Sequence, residues 1–263
     1  MITISDPKAL TPCIRVTDYW LKRDDLFEVA GVNGGKARTA WHLCQGACGV
    51  VTAGSRHSPQ VGIVASIAAS MEIPCLVVVP AGKETAEVRL ATDRNADVVR
   101  VRPGYNSVII ARARQLAEAN NYRYIPFGMQ CEEAVGQTRP QVANLPAEAK
   151  RLVVPVGSGM TLAGILSGLR DIESVLPVVG IAMGANPQRC LQTYAPLFWQ
   201  AMVSLQLSGV KYDQHVVASI GDVSLDPIYE AKCVPFLEYD DVLWVVGRRP
   251  HSAAKAIEEI TNA

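Results

Sequence analysis

Short runs rich in Val and Ile alternate with longer segments of helical period along this chain. Gly49–Thr52, Cys75–Val79, Val98–Val101, Leu152–Val156, Val178–Ala182 and Val242–Val246 have the length and apolar content of buried strands. Val61–Met71, Ser107–Asn120, Thr161–Ile172 and Ser252–Thr261 have the spacing of helices. Such alternation predicts an α/β architecture in which mainly parallel sheets carry helices on both faces. No repeat of fixed period and no low-complexity segment interrupts it. The Pro-containing stretch Glu132–Pro146 lacks a clear period and is expected to hold a crossing between two lobes. Open α/β sheets bind ligands beyond the carboxyl ends of their strands, so the loops after Thr52 and after Val156 are the first places to look for chemistry.

Composition narrows this picture. With 263 residues, 49% of them hydrophobic and 19% charged, there is enough apolar material for two modest cores. Lys and Arg balance Asp and Glu at 25 each, so no overall field draws in nucleic acid or anionic membrane, and any anion site must be local. Met1 to Thr11 lacks the basic end and apolar run of a secretory signal, and no segment reaches the ~18 apolar residues of a membrane span. The seven cysteines are scattered without a Cys-x-x-Cys pair, which suits reduced core filler in a cytoplasmic protein and argues against a metal site.

Two loops carry candidate chemistry. In Asn33-Gly34-Gly35-Lys36-Ala37-Arg38, two glycines precede a lysine that opens a helix-like segment. A P-loop is excluded, because Ala30 and Ala37 stand where Gly and Ser or Thr are needed. A Schiff-base lysine needs close backbone approach to a flat ring and a cationic or desolvated setting, which Gly34, Gly35 and Arg38 would supply. An ordinary turn with a solvated lysine is the plain alternative. Gly157-Ser158-Gly159-Met160-Thr161 follows the Leu152–Val156 run directly and precedes a helix. Exposed backbone N–H groups and hydroxyls there form an anion site, and Leu162 in place of Gly favours a phosphomonoester over a dinucleotide. A tight turn capped by Ser158 or Thr161 is the competing reading.

Four blocks in order give the chain a wider resemblance. Leu21-Lys22-Arg23-Asp24-Asp25-Leu26 with Gly34-Gly35-Lys36 resembles a lysine block, and Thr52-Ala53-Gly54-Ser55-Arg56-His57-Ser58-Pro59-Gln60 a loop that cradles a substrate carboxylate. Val156 to Gly164 resembles a phosphate cup, and Leu225-Asp226-Pro227-Ile228-Tyr229-Glu230-Ala231-Lys232 the segment beneath a pyridine ring. Together they are similar to the fold-type II enzymes dependent on pyridoxal 5′-phosphate (PLP), the tryptophan synthase β-like superfamily. Within it the nearest branch holds 1-aminocyclopropane-1-carboxylate deaminase and D-cysteine desulfhydrase.

The resemblance implies two lobes, a larger one of residues 1–45 and 144–263 and a smaller one of 46–143, with PLP between them. It implies that Lys36 holds PLP as a Schiff base and shuttles the Cα proton. Gly157, Ser158, Gly159, Met160 and Thr161 would bind the phosphate, and Glu230 would face the pyridine nitrogen. Tyr229 would act as nucleophile or proton carrier, and Ser58 would bind the carboxylate or assist proton transfer. Taken alone, Ser58 reads as a helix cap, Tyr229 fits a tied-down aromatic as well as a reacting phenol, and a solvated face is the plain alternative for Glu230 with Lys232. The expected partner is a small amino-acid-like substrate, and the expected assembly a homodimer.

Departures from the family pattern bear on the substrate. Gly35 precedes the lysine where Asn is usual, Met160 stands where Gly or Ser is common, and the chain is shorter than the usual member. Pro59, with neither side-chain donor nor backbone N–H, occupies the place of an Asn that touches the ring oxygen. The leading expectation is lyase or deaminase chemistry releasing ammonia and a keto product. β-Replacement and PLP binding without turnover are its rivals. A further alternative, modification of an amino-acid group carried on nucleic acid, draws on Arg248-Arg249-Pro250-His251.

Overall fold

The computed structural model describes residues 3–184 and 186–249; the helix expected over Ser252–Thr261 lies outside them. In chain order the elements are β1 (Cys13–Val16), β2 (Tyr19–Arg23), β3 (Glu28–Val29), β4 (Val32–Asn33), α1 (Gly35–Cys44), β5 (Val50–Ala53) and α2 (Pro59–Ser70). There follow β6 (Cys75–Pro80), α3 (Ala86–Asp93), β7 (Asp97–Val101), α4 (Asn106–Asn120), β8 (Arg123–Ile125), α5 (Glu132–Thr138), β9 (Leu152–Val156) and α6 (Met160–Asp171). The last are β10 (Val178–Ala182), α7 (Gln188–Tyr194), β11 (Val203–Leu207), β12 (Ser219–Ile220), β13 (Val223–Ser224) and β14 (Val242–Val245).

Two compact units divide the chain, residues 28–133 forming one and residues 1–27 with 134–263 the other. The boundaries expected at 45/46 and 143/144 therefore fall earlier. α1 packs on α2 and on β3 and β4 of the 28–133 unit, which draws residues 28–45, Lys36 among them, into it. At the far boundary the return to the other unit begins inside α5, and the 3-10 turn Arg139–Val142 packs on α6. Their approach is close, since a Cβ on Gly168 would lie 2.2 Å from the Arg139 carbonyl oxygen.

The 28–133 unit carries a four-stranded parallel sheet in the order β7-β6-β5-β8. α4 covers one face with Ile109, Ala113 and Ala117, four residues apart on one stripe, against Val51, Ala53 and Val78. α2 is buried almost all round, so it reads as continuously apolar from Val61 to Ala65. The other unit holds a six-stranded sheet in the order β1-β2-β14-β9-β10-β11, parallel apart from the β1–β2 pair. β9, β10 and β14 are buried throughout, as strands covered on both faces are. Leu21, Val153, Ile181, Leu243 and Val245 form one side of its core.

Among the described residues no helix is long and apolar enough to cross a membrane, and no group of three or more His, Cys, Asp or Glu is placed to hold a metal ion. All seven cysteines are free, with Cys44, Cys75, Cys190 and Cys233 buried.

Candidate functional site

In the unit of residues 1–27 and 134–263, β9 runs straight into Gly157-Ser158-Gly159 and then α6. Gly159 is the residue before the helix and has φ +95°, a left-handed conformation that favours glycine. A Cβ there would also lie 3.1 Å from Pro187 Cβ. The first N–H groups of α6, on Met160 and Thr161, belong to the set that no helix can satisfy internally, and they open at the carboxyl end of a parallel strand. Met160 is buried, with its thioether 3.2 Å from the Cys190 thiol, so only its backbone serves the loop.

The same unit brings Tyr229 and Glu230 to this loop. A Cβ on Gly157 would lie 3.1 Å from Tyr229 Cε1 and 3.3 Å from its hydroxyl, which places the phenol directly against the glycine. Asp226 builds the turn that aims it: Oδ1 accepts the N–H groups of Ile228 at 2.8 Å and Tyr229 at 3.0 Å. The Tyr229 hydroxyl lies 3.1 Å from that of Tyr212, with the rings edge to face. Burial first, and then the neighbouring Tyr212, push the Tyr229 phenol well above its ordinary range, so it is a neutral O–H at physiological pH.

Glu230 is fully buried at the start of the 3-10 helix Glu230–Phe236. Its Oε1 accepts the Val246 N–H at 2.6 Å, just past the carboxyl end of β14, which neighbours β9 in the sheet. Oε2 has no hydrogen-bond partner among the described residues. Burial, followed by the nearby Asp226 carboxylate, pushes Glu230 well above the usual carboxylate range. A solvated face is thereby excluded for Glu230, and for Lys232 as well. The Lys232 ammonium is buried and donates to the carbonyls of Lys211 at 2.7 Å and Tyr212 at 3.0 Å, fixing the loop that carries Tyr212.

Lys36 and Ser58 belong to the other unit. Lys36 is half-buried in the first turn of α1, after Gly34, whose φ of +87° lets the chain turn sharply into the helix. Arg38, in the same turn, is fully buried. Lys22, by contrast, is a buried structural lysine, donating to the Thr11 carbonyl and to Asn144 Oδ1, each at 2.6 Å. Ser58 caps α2, its Oγ accepting the Gln60 N–H at 3.4 Å. Pro59 is the first residue of that helix, where a fixed φ and a missing N–H are favourable, which is the physical reason a proline is tolerated there. Arg56 secures the same loop to the next one by donating to the Lys83 carbonyl at 2.6 Å.

Sequence reasoning missed Tyr212, Asp226 and Arg249 as parts of this arrangement. Arg249 donates from Nε to Asp226 Oδ2 at 2.7 Å, and its guanidinium carbon lies 5.9 Å from the centre of the Tyr229 ring. Arg248 pairs with buried Asp25 at 3.1 Å. The basic cluster at Arg248 and Arg249 is thus drawn inward onto two buried carboxylates. Tyr212 lies in a polar loop 17 residues from Tyr229 and carries no local signal.

A sequence model described as pyridoxal-phosphate dependent enzyme matches residues 4–206. Among curated proteins, the chain is 27% identical over 196 residues to an O-seryl-dTMP PLP-dependent decarboxylase of Salmonella phage ViI, covering 60% of this chain and 46% of the relative. It is 28% identical over 184 residues to a protein of Pyrococcus horikoshii named for 1-aminocyclopropane-1-carboxylate deaminase, covering 64% and 56%. The chain therefore spans about half the length of these curated relatives. A crystal structure of an ACC deaminase homologue superposes with a TM-score of 0.80 at 18% identity, covering 99% of this chain and 96% of that one. Threonine deaminase isoform 2 of Solanum lycopersicum gives 0.64 at 14%, covering 96% and 87%. These two likenesses establish the shared fold. With the sequence match extending over more than half its length, the chain belongs to the pyridoxal-phosphate dependent enzyme family, and its cofactor is pyridoxal 5′-phosphate.

Proposed function

We propose that this protein is a lyase or deaminase acting at the Cα of an amino-acid group, with Lys36 holding PLP as a Schiff base. The observation that carries this reading is the buried Oε2 of Glu230, which has no hydrogen-bond partner among the described residues. An orphaned carboxylate oxygen in a dry site is costly unless a bound donor completes it, and a protonated pyridine nitrogen is such a donor. The rest of the chemistry fits the same group. The Lys36 amine would take its aldehyde, and the N–H groups and hydroxyls from Gly157 to Thr161 would take its phosphate. When bound, PLP supplies an electron sink for the pair left by a bond broken at Cα.

The chain's own residues then divide the work. Lys36 Nζ returns or removes the Cα proton. Tyr229, held as a neutral phenol, favours the role of proton donor over that of nucleophile. Tyr212 fixes the direction of that hydroxyl. Ser58 Oγ is occupied as an acceptor by α2, so its own proton is what it offers a substrate carboxylate.

Thr161 tests the phosphate assignment without damaging the fold. It is half-buried in the first turn of α6, where an acidic side chain favours the helix by about 0.3–1 kcal/mol. Thr161→Asp should therefore leave the cofactor-free protein at least as stable and weaken PLP binding more than about tenfold through charge repulsion. Equal affinity in a titration followed by absorbance would remove the loop from the phosphate site.

A second reading is favoured by the phage relative: the amino-acid group is carried on a nucleotide, and its carboxylate leaves as carbon dioxide. Two substrate sets separate the readings, free D-, L- and cyclic amino acids on one side and O-seryl-dTMP on the other, each labelled in the carboxyl carbon. Ammonia and a labelled keto acid from the free set support the first. Labelled carbon dioxide from the nucleotide supports the second. Unchanged absorbance and no product with either set would contradict both.

A further inference from the structure

We infer that the carboxyl-end rim of the β7-β6-β5-β8 sheet is a docking surface for single-stranded DNA carrying the amino-acid group, an inference that rests on the nucleotide-carried reading. Three successive loops form this rim, after β5, β6 and β7, and hydrogen bonds and ion pairs tie them into one surface. Arg56 from the first donates to the Lys83 carbonyl of the second at 2.6 Å, and its guanidinium covers Gly82, where a Cβ would approach to 2.8 Å. Thr85 hydrogen-bonds back to the Arg56 carbonyl. Glu84 bridges Arg89 and Arg100, each at 3.5 Å. Arg102 and Tyr105 continue the rim directly after β7.

Charge on this unit is concentrated there. From Glu28 to Glu133 the sequence has eleven Lys and Arg against nine Asp and Glu. Arg56, Lys83, Arg89, Arg100 and Arg102 lie on the rim with only Glu84 and the buried Glu87, leaving six cations against seven acids elsewhere. A near-neutral unit thus presents a locally positive edge, and the shared Glu84 leaves Lys83 and Arg102 as exposed cations on it.

Tyr105 gives the edge its second property. Tyr105 is 86% exposed, an unusual position for a large aromatic with no packing to gain. An exposed aromatic among cations is the arrangement that holds a single strand, with phosphates on the cations and a base stacked on the ring. Duplex DNA offers its bases no such access without extrusion. The Gly54–Ser58 loop is itself the first loop of the rim, so a strand lying on it passes beside Ser58, the residue assigned to the substrate carboxylate.

The test uses the PLP-loaded protein and a fluorescein-labelled single-stranded deoxyoligonucleotide followed by anisotropy. Binding by the parent should fall steeply between about 50 and about 200 mM salt. Lys83→Gln with Arg102→Gln should reduce the slope of log affinity against log salt by roughly 1.4, at about 0.7 for each phosphate that is no longer neutralised. Tyr105→Ala should weaken binding at least about fivefold at every salt concentration, with little change in slope. Turnover of O-seryl-dTMP should be unchanged in all these variants, which shows that they fold and that the nucleotide-carried reading holds independently. No binding by the parent, or equal binding by parent and variants, overturns the docking surface. Loss of turnover on every nucleotide substrate with rim-dependent DNA binding intact would instead sink the reading and leave the surface standing.

Discussion

Replacing Glu230 with Gln should make the cofactor-free protein more stable and the loaded enzyme much slower. The carboxylate is fully buried, and its Oε2 lacks a partner among the described residues, so the fold tolerates an unfavourable group at this point. Because the folded state raises its pKa, folded protein holds the proton more tightly than unfolded protein does. Stability from this group is therefore greatest below the unfolded value of about 4.3 and is lost as pH rises toward the folded value. Glu230→Gln removes that loss. Urea unfolding of the cofactor-free proteins should show the variant gaining about 1–3 kcal/mol at neutral pH and the gap closing near pH ~4. A hydrogen bond to a charged partner is worth about 1.5–3 kcal/mol, so turnover of the loaded variant should fall by roughly 10- to 100-fold. A variant that is less stable at neutral pH, with unchanged turnover, would place Glu230 in an ordinary structural role.

Lys36→Ala should abolish covalent attachment of PLP and reduce turnover by at least 10²–10⁴-fold, roughly the loss expected from removing proton transfer alone. The contrast with the two buried lysines of the neighbouring blocks makes this specific. Lys22→Ala strands Asn144 Oδ1, the Thr11 carbonyl keeping its bond from Asn144 Nδ2, and Lys232→Ala strands the Tyr212 carbonyl, the Lys211 carbonyl keeping the Gln214 N–H. Each should cost about 1–3 kcal/mol of stability while leaving attachment intact. Absorbance spectra and thermal melts of the three variants separate the roles. Attachment surviving in Lys36→Ala would refute the assignment.

How legible these features were depended on what surrounds each residue. β9 and β10 were readable to the residue, because strands buried on both faces are apolar throughout. β2 was hidden because Lys22 and Arg23 look like surface residues in sequence. Their charges are met inside the fold, Lys22 by two oxygens and Arg23 by Asp25 at 2.8 Å. β11 is a half-exposed edge strand with a mixed pattern. The boundary near residue 27 was illegible because it depends on which neighbours α1 packs against, a tertiary fact.

The candidate site divided in the same way. Gly34 and Gly159 announced themselves because their backbone conformations favour glycine. Pro59 read as a defect in a binding loop until the structure placed it at the start of α2. Tyr212 and Arg249 reach Tyr229 and Asp226 from segments far apart in sequence, and no local pattern assigns them those partners. Arg248 and Arg249 looked like an exposed basic spot, whereas each reaches a buried carboxylate.

Which lysine holds PLP is read directly by reducing the PLP-loaded protein with borohydride, digesting it, and locating the modified lysine by mass spectrometry. The pyridoxyl group is expected on Lys36 and on no other lysine. A pyridoxyl group on Lys22, Lys232 or any other lysine, with Lys36 unmodified, would contradict that assignment.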